Sequence, residues 1–463
     1  MMVAGTASHV GKSWMTTAIC RWLTRRGLSV APFKAQNMSN NSYPCSGGGE
    51  IGRAQVAQAE ACFLAAEPDM NPILLKPNSD IGSQVVLNGK VWKNLGAREY
   101  YEHFPILLEH VLAAYDRLAS RHDFIVMEGA GSVTELNLKA TDLVNLGLAT
   151  RLNAPVMLTA DIDRGGVFAA VVGTFALLDE RERALLRSFA INRFRGDPAL
   201  FESGVGLLEE RTGKPCMGVF PYLRDVPLDP EDAVTLDDLR RSDSDIAIVA
   251  FPHISNLSDF RLIPGAVRIS RPIDAQFGYV ILPGTKNTIG DLAWLRSMKL
   301  DEWILDQHRR GARIIGICGG YQMMGDSIED PFGMESNAGR ADGLGLLPVR
   351  TVLAREKVTR AVRAVTPTGI EFAAYEIHLG ITTRPPDALT FATLEDGADD
   401  GIRADRCFGT YLHGALEDCR VLGELLERAI EPLPSRETSY EAMADWFDAN
   451  VDRRLFEELY LCS

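Results

Sequence analysis

The sequence predicts an α/β protein with two successive domains, each built around a parallel sheet. Short buried-strand patterns alternate with helical patterns through the first half of the chain. Such alternation is typical of parallel strands that are covered by helices on both faces. The strand patterns lie at 28–33, 124–127, 155–160, 189–194 and 216–220, and helical patterns between them include 51–66 and 106–118.

A shift in composition divides the chain. The stretch 224–245 is charged, contains prolines and is poor in apolar residues, which is typical of an interdomain linker. Because 463 residues exceed the size of one ordinary domain, we predict a first domain at 1–235 and a second at 246–463. The second domain ends in a helical pattern, 439–461. Its strand patterns lie at 246–251, 277–282, 313–317, 372–378 and 407–413.

A glycine-bounded loop follows the first apolar run and precedes a helical pattern. From Gly5 the loop reads G-T-A-S-H-V-G-K-S. A strand, such a loop and a helix that opens on Lys-Ser form a P-loop, whose backbone N–H groups surround phosphate oxygens. We expect Gly5, Thr6 and Gly11 to shape the loop. Lys12 can then reach the terminal phosphates, and the Ser13 hydroxyl can ligate Mg²⁺. A glycine turn with a surface lysine, the alternative, leaves the flanking strand and helix patterns unexplained.

Two carboxylates are candidate ligands for the same metal ion. Glu128 ends a predicted strand, at a Walker-B-like position, and Glu50 follows a run of three glycines. Ligands of open parallel sheets bind beyond the carboxyl ends of the strands, and Mg²⁺ bound to phosphates needs one or two carboxylates. A carboxylate at the end of a strand can instead cap a turn, so the structural alternative stays open for both residues.

A second candidate site lies in the C-terminal half. Cys318 stands in G-I-C-G-G between a strand pattern and a helical pattern, which predicts a nucleophile elbow with cysteine in place of serine. His413, at the end of another strand pattern, is the candidate base. The N–H groups of Gly284 and Gly319 are candidates for an oxyanion hole. A small buried cysteine is the alternative for Cys318, and His378 is as well explained by a structural role as by a role at the substrate.

Composition excludes several classes of protein. The formal net charge of −14 argues against a nucleic-acid-binding surface, which needs a basic face. The apolar stretch 165–178 is too short to span a membrane, and we find no signal segment before the P-loop. The eight cysteines contain no C-x-x-C pair, which suits a reducing compartment. We therefore expect a cytoplasmic protein that binds neither nucleic acid nor membrane.

These features together resemble the cobyric acid synthase family, the glutamine-dependent amidotransferases of cobalamin synthesis. The resemblance runs nearly end to end and is far more specific than the P-loop alone. Its most specific segments read F-K-A-Q-N-M-S-N-N-S from position 33, E-I-G-R-A-Q from 50, E-G-A-G-S from 128, D-I-D-R-G-G-V from 161, L-P-G-T-K-N-T from 282 and G-T-Y-L-H-G from 409.

The resemblance implies a fold, an activity and cofactors. The first domain would be a P-loop domain of the dethiobiotin-synthetase-like branch, to which the five residues between the two loop glycines also point. The second would be a class I glutamine amidotransferase-like domain. Glutamine would be hydrolysed at Cys318 with His413 as base. The ammonia would then amidate corrin side-chain carboxylates activated as acyl phosphates by ATP and Mg²⁺. In this family adenosylcobyrinic acid a,c-diamide becomes adenosylcobyric acid by amidation at positions b, d, e and g.

Two further residues receive roles from the resemblance. Lys34 would face the acyl phosphate or the γ-phosphate, and Asn192 lies where related ATPases read the adenine. The expected partners are the corrin substrate and glutamine, and the sequence leaves open whether the chain forms a homo-oligomer. Where typical class I glutaminases carry a glutamate two residues after the histidine, this chain has Ala415. The third member of the Cys–His site is therefore left open.

Two alternatives remain at this stage. An a,c-diamide synthase shares the architecture, but the amino-acid sequence of segment 34–42 favours cobyric acid synthase. A partition-type P-loop ATPase with a glutaminase-like module that has lost catalysis is the alternative from another class. Intact Cys318 and His413 argue against it, as does the lack of an amphipathic membrane-targeting helix.

Overall fold

The first half of the chain is organised around a sheet of parallel strands. The computed structural model describes residues 1–78, 82–223, 226, 244–335 and 339–462. The strands of this half are β1 (Met2–Gly5), β2 (Val30–Phe33), β3 (Gln36–Met38), β4 (Ser42–Pro44), β5 (Glu50–Gly52), β6 (Ile73–Pro77), β7 (Gly82–Leu87), β8 (Lys90–Gly96), β9 (Phe124–Glu128), β10 (Val156–Asp161), β11 (Leu186–Phe194) and β12 (Cys216–Pro221). The helices are α1 (Lys12–Arg25), α2 (Arg53–Ala61), α3 (Ala97–Glu102), α4 (Phe104–Ala119), α5 (Leu146–Leu152), α6 (Val167–Leu177), α7 (Glu180–Leu185) and α8 (Glu202–Thr212).

The central sheet has the strand order β12-β11-β10-β1-β9-β2, and every pair in it is parallel. Strands β1 and β10 are buried at each position, because helices cover both faces of the sheet. The P-loop leaves the sheet at the end of β1, between the ends of β9 and β10. This is the place where open α/β sheets bind ligands. The predicted P-loop domain with a parallel sheet is confirmed.

Short strands between β2 and β9 form a part of the fold that the periodicity did not predict. Strands β3, β6, β7 and β8 make a small sheet, and β4 pairs with β5. The helical pattern 51–66 is in fact the end of β5 followed by the shorter helix α2, because residues 50–52 pair with β4. This subdomain places β4 against the second half of the chain.

The second half contains a further parallel sheet. Its strands are β13 (Ile246–Val249), β14 (Val267–Ile269), β15 (Tyr279–Leu282), β16 (Arg313–Ile317), β17 (Ser327–Glu329), β18 (Arg340–Asp342), β19 (Arg350–Val365), β20 (Glu371–Thr383), β21 (Ala392–Leu394), β22 (Asp399–Asp400), β23 (Ile402–Ala404) and β24 (Cys407–Thr410). The helices are α9 (Thr288–Ser297), α10 (Leu300–Arg309), α11 (Gly319–Met323), α12 (Cys419–Leu425), α13 (Arg436–Asn450) and α14 (Arg453–Phe456).

The strand order of this sheet is β14-β13-β15-β16-β24-β23, parallel except for the edge strand β23. The strand pattern 372–378 was expected in the same sheet, but it forms part of β20. That strand pairs antiparallel with β19 in a separate sheet, β18-β17-β19-β21-β22. The periodicity of a strand indicates which of its faces is buried but does not identify the strand it pairs with. Periodicity therefore could not show to which of the two sheets residues 372–378 belong.

The terminal helices lie on the first domain, although the sequence assigned them to the second. Helix α13 packs on α1, and Tyr440, Met443 and Phe447 share one buried cluster with Ile19 and Trp22. The sequence assigned the whole range 246–463 to the second domain. In the structure the last helices of this range pack on the first domain instead. The predicted linker, 224–245, lies almost entirely outside the described residues. Within the part that is described, none of the helices combines the length and the apolar character that a membrane span requires.

Candidate active sites

The loop between β1 and α1 is closed by backbone geometry that only glycine tolerates well. Gly11 has φ +94°, and the side-chain amide of Asn192 lies directly against its Cα, so a Cβ would have neither the conformation nor the room. Nδ2 of Asn192 donates a hydrogen bond to the carbonyl of Val10 at 2.8 Å. On the other side of the loop, the N–H of Thr6 donates to the carbonyl of Thr159 at 3.1 Å. The loop is thus tied to the strands β10 and β11.

Lys12 is folded back over this loop. Its side chain is buried, and Nζ donates to the carbonyls of Ala7 at 3.0 Å and Gly131 at 2.9 Å. The ammonium group therefore lies between the loop and the segment that follows β9. Gly5, Thr6, Gly11 and Lys12 thus lie on the turn between β1 and α1, and their role in binding phosphate stays a prediction.

Ser13, Lys34 and Glu128 meet at the end of β9. The Ser13 hydroxyl donates to Oε1 of Glu128 at 2.9 Å, and Nζ of Lys34 donates to the same oxygen at 2.8 Å. Nε2 of Gln58 donates to the other carboxylate oxygen. Both Lys34 and Glu128 are almost fully buried, so their opposite charges interact with little screening.

Ser13 and Glu128 offer two oxygens of the kind that Mg²⁺ prefers, and in this structure the two are joined by a hydrogen bond while Lys34 also donates to Oε1 of Glu128. Mg²⁺ prefers oxygen ligands at about 2.0–2.1 Å in octahedral geometry, which puts neighbouring ligands about 2.9 Å apart. Oγ of Ser13 and Oε1 of Glu128 are separated by 2.9 Å. Clusters of three or more acidic, histidine or cysteine side chains suited to a metal ion do not occur among the described residues. An ion here would therefore be completed by phosphate and water oxygens.

Glu50 does not join this pair. Oε2 of Glu50 accepts hydrogen bonds from Ser42 and Lys76, each at 2.8 Å, and Oε1 pairs with Lys357 of β19. Burial alone would raise the pKa of Glu50, but the charges of Lys357 and Lys76 outweigh burial and hold that pKa well below its ordinary value. The prediction that Glu50 ligates the metal ion is corrected: its carboxylate is an ion-pair partner at the contact between the two halves.

Two cavities border the P-loop. The larger, of about 370 Å³, has Lys12 and Lys34 in its wall. Large side chains that are more than a third exposed also line it, namely Met38, Tyr101, Leu136 and Leu138. Lys139 and the carboxylates of Glu135, Asp142 and Glu182 line it as well, so the cavity combines charged groups of both signs with an apolar rim. Such a lining suits a large, partly apolar molecule that carries polar groups.

The smaller cavity, of about 110 Å³, lies on the other side of the loop and is lined by Gly11, Trp14, Asn192, Tyr222 and Trp446 among others. Asn192 is here as predicted, but its side chain is already engaged. Nδ2 bonds to Val10, and Oδ1 accepts from the N–H of Arg193. Because an amide has two N–H groups and two oxygen lone pairs, Asn192 can still bind a base, and its role at the adenine stays a prediction. The aromatic side chains offer surface for stacking on a planar base, and Trp446 comes from the terminal helix α13.

Cys318 occupies a sharp turn between β16 and α11. It has φ +50°, a conformation that is costly for a non-glycine residue and is found at nucleophile elbows. Neighbouring residues must be small: a Cβ on Gly320 would run into the backbone of Leu282. The thiol is buried, and Sγ lies 3.7 Å from the carbonyl oxygen of Ile377. The predicted elbow geometry is present.

His413 faces this thiol and is held by a carboxylate that sequence reasoning missed. Nδ1 of His413 lies 2.8 Å from Oδ2 of Asp259, and Oδ1 of Asp259 accepts the N–H of Gly414 at 2.7 Å. Burial alone would lower the pKa of His413, but the charge and hydrogen bond of Asp259, together with Cys318, raise it to about 10. The site is thus a Cys–His–Asp arrangement. The available signal was the polar run S-N-L-S-D that follows the first strand pattern of this half, at 255–259.

The two candidate oxyanion glycines lie beside these groups. A Cβ on Gly284 would come within 2.9 Å of Cε1 of His413, and one on Gly319 would come within 3.2 Å of the backbone nitrogen of Thr285. Loop 283–285 and the elbow therefore approach each other at backbone distance. His378 stacks on Tyr411 at 3.9 Å, and its Nδ1 and Nε2 contact the carbonyl of Gly380 and the carboxylate of Glu376. The structural role left open for His378 is thus accounted for by these contacts.

Comparison with known families agrees with this architecture of a P-loop domain followed by a cysteine-nucleophile domain. A family model described as the CobQ/CobB/MinD/ParA nucleotide-binding domain matches residues 1–236. One described as the CobB/CobQ-like glutamine amidotransferase domain matches residues 245–420. The chain belongs to the CobQ/CobB/MinD/ParA nucleotide-binding domain family and carries a CobB/CobQ-like glutamine amidotransferase domain. The two matches support an enzyme that carries out glutamine-dependent amidation.

Solved structures similar to this chain include glutamine amidotransferases. One is 15% identical, spans 39% of this chain and 97% of its own, and has a TM-score of 0.32. One from Thermotoga maritima is 16% identical over 46% of this chain and 96% of its own, with a TM-score of 0.26. One from Methylobacillus flagellatus is 14% identical over 45% and 93%, with a TM-score of 0.26.

Proposed function

We propose that this chain is a cobyric acid synthase, which uses ATP and glutamine to amidate corrin side-chain carboxylates. The reaction converts adenosylcobyrinic acid a,c-diamide to adenosylcobyric acid by amidation at positions b, d, e and g. The observation that carries the proposal is the larger cavity, which has Lys12 and Lys34 in its wall and a rim of exposed apolar side chains. A corrin is a large, partly apolar ring that carries carboxylates, and its acyl phosphate is the anionic group that two lysines would stabilise.

In the second domain, the residues of the chain release ammonia from glutamine. His413 takes the thiol proton of Cys318 at Nε2, and Asp259 stabilises the positive ring that forms. The thiolate attacks the side-chain amide carbon of glutamine, and the N–H groups of Gly284 and Gly319 would bind the developing oxyanion. His413 returns the proton to the leaving nitrogen, which departs as ammonia. Water, activated by the same histidine, then cleaves the thioester to glutamate.

In the first domain, the residues of the chain bind and orient an anionic reaction centre. When bound, ATP supplies the phosphoryl group that converts a carboxylate, a poor acyl donor, into an acyl phosphate. Ser13 and Glu128 would hold Mg²⁺, while Lys12 and Lys34 neutralise phosphate charge. Ammonia then displaces phosphate to form the amide. Trp14, Tyr222 and Trp446 supply aromatic surface for the base of the nucleotide.

The test is amide formation on a corrin a,c-diamide with ATP, Mg²⁺ and glutamine, followed by mass spectrometry. We expect four successive changes of a carboxylic acid to an amide, none of them without ATP. Amidation at only the a and c positions of an unamidated corrin would indicate the a,c-diamide synthase instead. Glutamine hydrolysis without amidation of either corrin would contradict a corrin substrate.

A further inference from the structure

Three lysines line the cavity beside the nucleophile, and one of them has no counter-charge. The wall of this cavity includes Cys318, Lys76, Lys286 and Lys357. Lys76 pairs with Glu50 at 2.8 Å, and Lys357 pairs with the other oxygen of the same carboxylate. Lys286, by contrast, forms no ion pair and no side-chain hydrogen bond with any described residue, although it is only 9% exposed. A buried ammonium group without a partner points to an anionic ligand.

The backbone of Lys286 is fixed beside the nucleophile elbow. Its N–H donates to the carbonyl of His253 at 3.0 Å, and the N–H of Asn287 donates to Oγ1 of Thr285 at 3.2 Å. Lys286 follows Gly284, one of the two candidate oxyanion glycines, by two positions. The unpaired ammonium group is therefore carried by the loop that borders the reacting centre.

A carboxylate in the same wall also lacks a counter-charge. Oε2 of Glu335 accepts the N–H of Thr288 at 2.8 Å, which holds the carboxylate at the first turn of α9. None of the cations in the described part of the chain forms an ion pair with Glu335. Lys286 and Glu335 thus line one cavity without being close enough to neutralise each other directly.

The pKa values of the two groups reflect this separation. Burial, followed by the charge of Lys357, lowers the pKa of Lys286 to about 8, and Glu335 offsets this only in part. Burial raises the pKa of Glu335, against the charge of Lys286 and the N–H of Thr288. A ligand that brings an anion to Lys286 and a cation to Glu335 would remove both penalties.

We infer that Lys286 and Glu335 select a free amino acid, Lys286 by binding the α-carboxylate of glutamine and Glu335 by binding its α-ammonium group. This inference rests on the proposed function, because glutamine is the nitrogen donor of that reaction. The side-chain amide of the same molecule reaches Cys318, which lies in the same wall. Glutamine within a peptide lacks both α-charges. It would leave both buried groups without partners and is therefore rejected.

The test measures ammonia release by the full-length protein with ATP, Mg²⁺ and a corrin a,c-diamide present. Three amides are compared: glutamine, γ-aminobutyramide, which lacks the α-carboxylate, and glutaramate, which lacks the α-ammonium group. Lys286→Met should lower kcat/KM for glutamine at least about tenfold, mainly through KM, and leave kcat/KM for γ-aminobutyramide unchanged. Glu335→Gln should lower kcat/KM for glutamine similarly and leave kcat/KM for glutaramate unchanged.

Two further variants complete the comparison. Lys286→Arg keeps a cation and should retain most of the native kcat/KM for glutamine. Lys299→Met, the same kind of change at an exposed position before α10, is the matched control and should alter none of the three rates. An analogue that is hydrolysed too slowly to measure serves as a competitive inhibitor, and its inhibition constant then replaces kcat/KM.

Equal losses for glutamine and both analogues in Lys286→Met would overturn the inference, since a damaged elbow affects every amide alike. An unchanged kcat/KM for glutamine in either site variant would overturn it as well. Neither outcome touches the proposed function, provided that the native protein amidates the corrin. If the native protein hydrolyses glutamine but amidates no corrin, the proposed function fails while the comparison of the three amides still decides the inference. If it releases no ammonia from glutamine, both fail.

Discussion

Nδ1 of His413 and Oδ2 of Asp259 lie 2.8 Å apart although 154 positions separate the two residues in the chain. The carboxylate is buried and also accepts the N–H of Gly414, so its position relative to the ring is set from two sides. This contact provides the third member of the nucleophile site that the sequence left open.

Asp259→Asn should reduce glutamine hydrolysis strongly. The amide removes the charge that raises the pKa of His413 to about 10, so the imidazole becomes a weaker base towards Cys318. In serine hydrolases the corresponding change lowers kcat by about 10⁴-fold. We expect a loss of about 10²-fold or more in the rate of glutamate release, while amidation driven by free ammonia is retained. A normal rate of glutamate release would exclude Asp259 from the site.

Cys318→Ala should abolish amidation driven by glutamine and leave amidation driven by ammonia, because the thiolate is needed only to release ammonia. The matched control is Cys407→Ser. Cys407 is also buried and lies on β24, the strand that pairs with β16, but away from the elbow. Both reactions should persist in that variant. Glutamine-dependent turnover in the Cys318 variant would contradict the assignment of the nucleophile.

Lys12→Ala should reduce amidation with either nitrogen source by about 10²-fold or more, since the acyl phosphate cannot form without charge stabilisation. Glu128→Gln should have a similar effect and raise the Mg²⁺ concentration needed for half-maximal rate. Lys90→Ala, at an exposed position of strand β8, is the control. Near-normal ammonia-driven synthesis in either site variant would show that the P-loop is not where the carboxylate is activated.

Glu50→Gln should weaken the contact between the two halves rather than the binding of Mg²⁺. It leaves the buried ammonium group of Lys76 and the partly buried one of Lys357 without this counter-charge. Breaking a buried ion pair costs about 3–5 kcal/mol. We expect a lower Tm and a larger loss of glutamine-driven than of ammonia-driven amidation. Removal of one lysine as well, in Glu50→Gln/Lys357→Met, should recover part of the Tm. If the single variant needed a higher Mg²⁺ concentration, the result would indicate that Glu50 ligates the metal ion after all.

The native protein should lose stability as the pH rises, because Asp400 must then become charged in a buried place. Asp400→Asn should remove this pH dependence. Burial raises the pKa of Asp400 from 3.8 to about 7, although Thr410 and the N–H of Tyr411 partly offset this effect. The folded protein thus keeps a proton that the unfolded chain releases. The contribution of Asp400 to the free energy of unfolding is fully present below pH 3.8 and is lost as the pH rises to about 7. Each pKa unit corresponds to about 1.4 kcal/mol.

The readout is the Tm of the native protein and the variant from pH 5 to pH 8. At the upper end the asparagine variant should be the more stable one, because it has no charge to bury. Asp399→Asn, at the exposed neighbouring position, is the control and should leave the pH dependence of the Tm unchanged. The assignment would be contradicted if the Tm of the native protein rose with pH and the Tm of both variants rose in parallel with it.

The sequence by itself determined the parts of this protein that depend on neighbours in the chain. The P-loop, the elbow at Cys318 and the strands of the two parallel sheets are local arrangements, because turn residues and apolar spacing act over a few positions. Their prediction needed no knowledge of partners in space.

Only the tertiary structure decided which distant groups meet. Asp259 reaches His413, Glu50 pairs with Lys357 instead of a metal ion, and the terminal helices pack on α1 rather than on the domain that precedes them. Each of these contacts joins residues more than 150 positions apart, and a carboxylate or an apolar helix face carries no local sign of its partner. Burial and charge pairing select that partner only once the sheets have brought the candidates within reach.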